Sequence, residues 1–155
     1  MTPGQARLVQ MAAAYLALAF RGDATGANTL FEDLKAEPRL PDAFVLVSLV
    51  AADAWGTVTG EPPDRAFDRL HPPAPTHVEL VRREPVIELA RAVRDGDDAG
   101  IASASEQLDR AQALVSALDL AMATVDLLEA VSDKLAQEWC ELWAGGAAAG
   151  AGVVD

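Results

Sequence analysis

The chain has 155 residues, 51% of them hydrophobic and 23% charged, which is typical of one globular domain and excludes disorder throughout. Twelve basic side chains against twenty-four acidic ones give a net charge of −12, so binding to nucleic acid or to an anionic membrane is not expected. Alanine supplies 32 positions, which favours closely packed helices, and a single cysteine excludes internal disulfides and thiolate zinc clusters.

The first twenty residues allow two interpretations. Arg7 and the apolar run 8–20 resemble a secretory signal, but the run is interrupted by polar residues and only one basic residue precedes it. Thr2 and Gln5 instead form a capping box, which predicts the start of a helix. We therefore interpret the segment as the first helix of a cytoplasmic protein, and no other stretch is expected to span a membrane.

A glycine-acid motif occurs twice. Residues 22–26 (Gly-Asp-Ala-Thr-Gly) recur 74 positions later as residues 96–100 (Gly-Asp-Asp-Ala-Gly), and apolar positions on both sides agree at the same offset. The pattern predicts two duplicated helical-hairpin units, at about 4–56 and 77–131, within one all-α domain covering 1–144. Asp23 and Asp97 are the expected N-caps of equivalent helices.

The first unit ends with an apolar segment at 42–55. Pro38 and Pro41 end the preceding helix, because proline cannot continue it. The segment is apolar on all sides, which predicts a central, buried element. Its valines would also suit a strand, but the corresponding segment 116–128 has a helical pattern, so we predict a helix.

Residues 57–76 contain five prolines and are predicted to connect the two units, with a short helical turn around Asp64–Leu70. Thr76 and Glu79 then form a second capping box. Pro85 predicts either a kink or a new helix start capped by Glu84.

The C-terminal region predicts a long helix. Neither glycine nor proline occurs from Ile101 to Ala144, and apolar residues follow heptad steps from 111 to 142 with one polar position, Ser132. Such a helix spans about 45–50 Å, which exceeds the roughly 30 Å width of a domain of this size. The part beyond Ser132 has no counterpart in the first unit. The Gly/Ala tail 145–155 is expected to be disordered.

We therefore predict a homodimer formed through the C-terminal helix, since tryptophan is common in interface hot spots. The competing hypothesis is that residues 133–143 fold back over an intact monomer. The interface candidates are Leu128, Leu135, Trp139, Leu142 and Trp143.

The sequence contains none of the residue patterns typical of catalytic or metal-binding sites. His71 and His77 lie in the connector without the spacing of metal ligands, and acidic and apolar neighbours of Cys140 argue against a reactive thiolate. No base and nucleophile can be paired from the sequence, so we expect no enzyme, no cofactor and no metal.

One pattern resembles a calcium-binding loop. Asp95, Asp97, Gly100 and Glu106 occupy positions 1, 3, 6 and 12 of such a loop, but Ala99 stands where the third ligand is needed. We therefore interpret this segment as a capped turn between two helices.

Acidic residues predominate in the C-terminal half, and Asp119, Asp126 and Asp133 repeat every seven positions. A line of this kind is usually a solvated helix face, and the alternative is mimicry of nucleic-acid phosphates. The carboxylates would stand about 10.5 Å apart, wider than phosphates along DNA, which weakens the mimicry.

These observations favour a non-enzymatic, acidic module for protein–protein interaction or scaffolding, homodimeric and with a possible basic protein partner. The first alternative is an acidic inhibitor, similar in role to an antitoxin, that masks the basic site of a nucleic-acid-binding protein. The second alternative is a small-ligand sensor with a pocket between helices.

Overall fold

In the computed structural model, residues 2–73 and 80–146 are described, and within them the chain forms eight α-helices and no strand. The all-α bundle predicted from the sequence is confirmed. The helices are α1 (Pro3–Arg21), α2 (Ala24–Leu34), α3 (Leu40–Thr59), α4 (Arg65–Asp68), α5 (Arg83–Asp95), α6 (Asp98–Glu106), α7 (Arg110–Val131) and α8 (Ala136–Ala144).

The helix ends follow the caps that the sequence predicts. The Gly26 N–H donates to Asp23 Oδ1 at 2.8 Å, and the Gly100 N–H donates to Asp97 Oδ1 at 3.0 Å. Gly22 and Gly96 end the preceding helices with φ of 81° and 67°, a conformation that favours glycine. Each unit therefore contains a helical hairpin with a two-residue turn, followed by a third helix.

Helix α3 lies at the centre of the fold, packed mainly against α7 and α1. It has twelve buried residues, and its buried Ser48 donates a hydrogen bond to the Val45 carbonyl at 2.6 Å. By length and composition α3 is the one described helix that could cross a membrane, but 61% of its apolar window is buried in the fold. Such burial is typical of the core helix of a soluble protein.

The connector is shorter at its start than predicted. Helix α3 continues through residues 57–59 to Gly60, and the chain then turns back over Gly56. A Cβ at Gly56 would stand 2.9 Å from the Glu61 carbonyl oxygen, so only glycine allows this approach. The predicted helical turn around Asp64–Leu70 is observed as α4.

The second unit begins at α5, whose N-cap is Arg82 instead of Glu84. Pro85 lies in the first turn of α5, where its missing N–H has no helical partner, so no kink results. The predicted capping box at Thr76 and Glu79 lies outside the described residues, as do His77 and positions 147–155 of the Gly/Ala tail.

The helix that follows each predicted unit contacts the first helix of the other unit. Helix α8 packs against α1, and α4 contacts α5 through Arg91, which reaches Asp64 at 2.8 Å and Asp68 at 3.3 Å and lies over the Phe67 ring. A helix thus also follows the first unit, within the predicted connector, although α4 has four residues against the nine of α8. Helix α4 follows α3 as α8 follows α7.

The single long C-terminal helix is also wrong, because the chain leaves the helical conformation between Ser132 and Leu135. Polar groups stabilise this break. The Trp139 indole N–H donates to Ser132 Oγ at 2.9 Å, and a Glu129 carboxylate oxygen accepts from the Ala136 N–H at the start of α8. Ser132, the polar position of the predicted heptad pattern, is therefore where the helix ends.

We expect the contact between α8 and α1 to contribute substantially to stability. Trp143 is 4% exposed, so Trp143→Ala should lower the free energy of unfolding by about 3–5 kcal/mol. Leu142 is exposed on the same helix, and Leu142→Ala should change the free energy of unfolding by about 0.5 kcal/mol or less. Urea denaturation of both variants measures the difference. Equal small losses would show that α8 is not packed as described.

Candidate functional site

The predicted interface residues lie on two different faces of the C-terminal region. Leu128 and Trp143 are buried in the chain's own core, which corrects their assignment to an interface. Leu135 and Leu142 are 59% and 42% exposed, and Trp139 is half-buried. The structure thus shows the fold-back of residues 133–143 over the monomer, with part of the apolar surface still open.

Leu135, Trp139 and Leu142 follow each other at steps of four and three, so the two exposed leucines and the half-buried tryptophan share one face of the α8 region. We call them the α8 stripe. The buried residues Ala136, Cys140 and Trp143 follow the same steps one position later. One residue is a 100° rotation on a helix, so the two apolar faces lie side by side.

Acidic residues flank the α8 stripe. Glu138 and Glu141 are exposed beyond it, on the side of α8 away from α1. Asp133 is 92% exposed at the break before α8. The nearby cation is Lys134, whose ammonium lies 5.3 Å from the centre of the Trp139 ring and 3.7 Å from Asp133. The α8 stripe is therefore an apolar surface flanked mainly by negatively charged side chains.

The predicted acidic line does not form. Asp119 is held by Arg83, which is 13% exposed and contacts the carboxylate through Nη2 at 2.8 Å and Nε at 2.9 Å while also donating to the His71 carbonyl. Asp126 lies one heptad further on α7, but Asp133 stands beyond the helix end. The three carboxylates do not share one helix face, which removes the geometric basis of phosphate mimicry.

The burial of Cys140 has a chemical consequence. Desolvation, followed by the charges of Asp126 and Glu141, raises the pKa of the thiol to about 12. A thiol of this kind is a poor nucleophile at neutral pH. Residues 2–73 and 80–146 also contain no group of three or more histidine, cysteine or acidic side chains that could hold a metal ion.

The resemblance to a calcium loop is explained by a helix cap. Asp97 uses its carboxylate to accept the Gly100 N–H, and α6 already begins at Asp98. Glu106 is therefore the last residue of a regular helix, which cannot wrap around an ion.

A cleft of about 330 Å³ opens between the two units and was not predicted at a particular place. Its apolar wall consists of aliphatic side chains only. These are Val45 and Leu46 from α3, Leu89 and Val93 from α5, and Ile101 from α6. The volume lies at the lower end of the range for small-molecule sites. We call this space the inter-unit cleft.

The mouth of the inter-unit cleft is polar. It is formed by Gln5, Arg39, Asp42 and Asp98, with the backbone at Gly96. Arg39 Nε lies 3.6 Å from Asp42 Oδ2, so these two charges offset each other. Among the ion pairs of the described residues none includes Asp98, whose negative charge is partly offset by the N-terminal end of the α6 dipole.

A second cavity, of about 190 Å³, adjoins the cleft and shares Asp42, Val45 and Leu89 with it. It extends toward the start of α7 and reaches Arg110. Together the two spaces follow the N-terminal half of α3. Sequence reasoning missed them because their walls come from segments far apart in the chain.

No protein-family model, curated protein or solved structure matches this chain. The α8 stripe and the inter-unit cleft are therefore the surfaces from which a function can be inferred.

Desolvation of its carboxyl should make Asp126 unfavourable for stability at neutral pH, although the residue is exposed. Desolvation, together with the charge of Glu129, raises the pKa of the Asp126 carboxyl above its ordinary value. The folded state therefore binds this proton more readily than the unfolded state, and stability falls as the pH rises through the folded-state pKa. We expect Asp126→Asn to raise Tm at pH 7 by about 1–2 °C, since the side chain is partly solvated.

The gain should vanish in acid, below the ordinary pKa of aspartate, where Asp126 is protonated in both states. Asp133→Asn, at an exposed carboxylate, is the matched control and should leave Tm unchanged. Thermal denaturation followed by circular dichroism across this pH range measures both effects. A lower Tm for Asp126→Asn at pH 7 would contradict the argument.

Proposed function

We propose that the protein is a non-enzymatic interaction module that binds a basic, amphipathic segment of a partner protein through the α8 stripe. The observation that carries the proposal is the exposure of Leu135, at the N-cap of α8, and of Leu142 beside an apolar face of the helix that is already buried. Helix α8 thus has more apolar surface than its own fold covers. Unpaired apolar surface beside polar residues is a common feature of protein-binding sites.

The charge around the stripe supports a basic partner. Glu138, Glu141 and Asp133 are all exposed near it, and the whole chain carries a net charge of −12. A helix with leucine on one side and lysine or arginine beside it would bury the stripe and pair with these carboxylates. The same charge disfavours nucleic acid and anionic lipid as binding partners.

A second copy of the chain, the occupant predicted from the sequence, is less well supported. Burial of Leu128 and Trp143 within the monomer reduces the available surface to the three residues of the stripe. A standard interface buries about 800 Å² on each partner, more than three partly covered side chains expose. Two copies meeting here would also bring Glu138 and Glu141 of both chains together.

The interior offers little support for catalysis. Cys140 is buried with a raised pKa, and the buried polar side chains Ser48, Ser116 and Thr124 form hydrogen bonds with the backbone. These groups have structural roles, which favours a binding function over catalysis.

The alternative functions rest on different surfaces. An acidic inhibitor would bind the basic surface of a nucleic-acid-binding protein at the α8 stripe. It would not need a row of carboxylates spaced like phosphates. A small-ligand sensor would use the inter-unit cleft, and its volume of about 330 Å³ is the observation that favours this candidate.

A designed helical peptide of leucine and lysine, labelled for fluorescence anisotropy, tests the proposal. We expect it to bind the wild-type protein and to bind more weakly in high salt, since exposed charge pairs are screened. The double variant Leu135→Ser with Leu142→Ser should lose most of the binding. Serine keeps the net charge constant, so this loss reports the apolar contact alone.

Two controls define the outcome. Val58→Ser changes an exposed valine on α3 and should bind as the wild type does, and a leucine and glutamate peptide should not bind. Unchanged affinity in the double variant would overturn the proposal. Sedimentation of the free protein as a dimer that the same double variant dissociates would identify a second copy as the occupant instead.

A further inference from the structure

We infer that the inter-unit cleft binds a small aliphatic cation, with its ammonium group beside Asp98 and its alkyl chain along the apolar wall. This inference deepens the small-ligand candidate named above and is independent of the α8 stripe. It depends on three features of the cleft: its volume, the chemistry of its wall and the charges at its mouth.

The volume and the wall define the body of the ligand. An apolar cavity of about 150 Å³ holds a benzene molecule, so about 330 Å³ accommodates roughly a dozen non-hydrogen atoms. The wall contains valine, leucine and isoleucine and no aromatic ring. A flexible alkyl chain suits such a wall, because the wall offers apolar contact without a planar surface for stacking.

The charges at the mouth define the head group. Arg39 and Asp42 form a pair with both side chains more than half exposed, so neither presents a full charge to a ligand. Asp98 remains, at the first position of α6 and exposed. An ammonium group at this place would face a carboxylate, whereas a carboxylate ligand would be repelled by Asp98 and by the net charge of −12.

Asp98 also has a structural role. As an acid in the first turn of α6, it interacts favourably with the helix dipole. Loss of stability in an Asp98 variant would therefore not demonstrate binding, and the test needs a direct measure of the ligand.

The position of the cleft gives binding a structural consequence. Its wall comes from α3 of the first unit and from α5 and α6 of the second, so a bound molecule contacts both units. The units are also joined nearby by Arg94 on α5, which pairs with Asp53 at 2.9 Å and donates to the Leu49 carbonyl at 3.3 Å. A ligand in the cleft would add to this link and stabilise the folded state by an amount that rises with the logarithm of its concentration relative to its Kd.

The test is isothermal titration of the full chain with octylammonium and, separately, with octanoate. We expect octylammonium to bind and octanoate to bind at least tenfold more weakly. Asp98→Asn should weaken octylammonium binding by about threefold to fivefold, the effect of one exposed ion pair. Asp95→Asn removes another exposed carboxylate, one that does not line the cleft, and should leave the affinity within about twofold.

A second variant tests the wall. Val93 is partly exposed in the cleft, so Val93→Phe should fill the space without disturbing the buried core, and should abolish octylammonium binding. Thermal denaturation checks that this variant remains folded, and binding of the leucine and lysine peptide should be unchanged, which separates this inference from the α8 stripe. Octanoate binding as tightly as octylammonium, or unchanged binding in both variants, would overturn the inference.

Discussion

The packing of α3 against α7 is the contact on which the other contacts of this structure depend. Helix α3 is apolar on all sides, and Phe44, Val45 and Val47 within it are almost completely buried. A helix of this kind is stable only when neighbours cover every face, and each such side chain contributes roughly 1.5–3 kcal/mol when buried. No single unit can supply that cover. Helices α1, α4, α5 and α7 come from both units, so the units must fold together.

The need to cover apolar helix faces also explains why α8 packs against α1. Helix α1 covers one side of α3 and would leave its own outer side exposed, and α8 from the second unit fills that place. Alanine makes this arrangement possible, because Ala6, Ala12, Ala13 and Ala17 leave room for neighbouring helices to approach α1 closely. The high alanine content and the low aromatic content of the chain thus have a direct structural meaning. Small side chains allow α1 to pack closely between α3 and α8.

Local chemistry could be predicted from the sequence, and the path of the C-terminal region could not. The caps at Asp23 and Asp97 depend on residues only three positions apart, so the motif itself contains the needed information. The break at Ser132 depends on a distant partner. The heptad pattern selects Leu135, Trp139 and Leu142, whereas α1 buries the set that begins at Ala136, one residue later. Both sets are apolar, so periodicity alone could not decide between them.

The two candidate sites also differ in how far they can be predicted from the sequence. The sequence predicts part of the α8 stripe, because Leu135, Trp139 and Leu142 occupy apolar heptad positions, although it predicts one helix where the structure has two. The inter-unit cleft could not be found, since α3, α5 and α6 meet there only after the units have packed. Its mouth also explains a feature of the second motif copy.

The first copy has Ala24 where the second has Asp98, at the position after the capping aspartate. Both copies form the same capped turn, so the cap does not require the second acid. The extra carboxylate is therefore not needed for the cap, although it interacts favourably with the α6 dipole. In the second unit that position faces the inter-unit cleft, whereas in the first unit Ala24 lines none of the cavities described. The difference between two otherwise matching turns thus coincides with the difference between a turn that borders a cavity and one that does not.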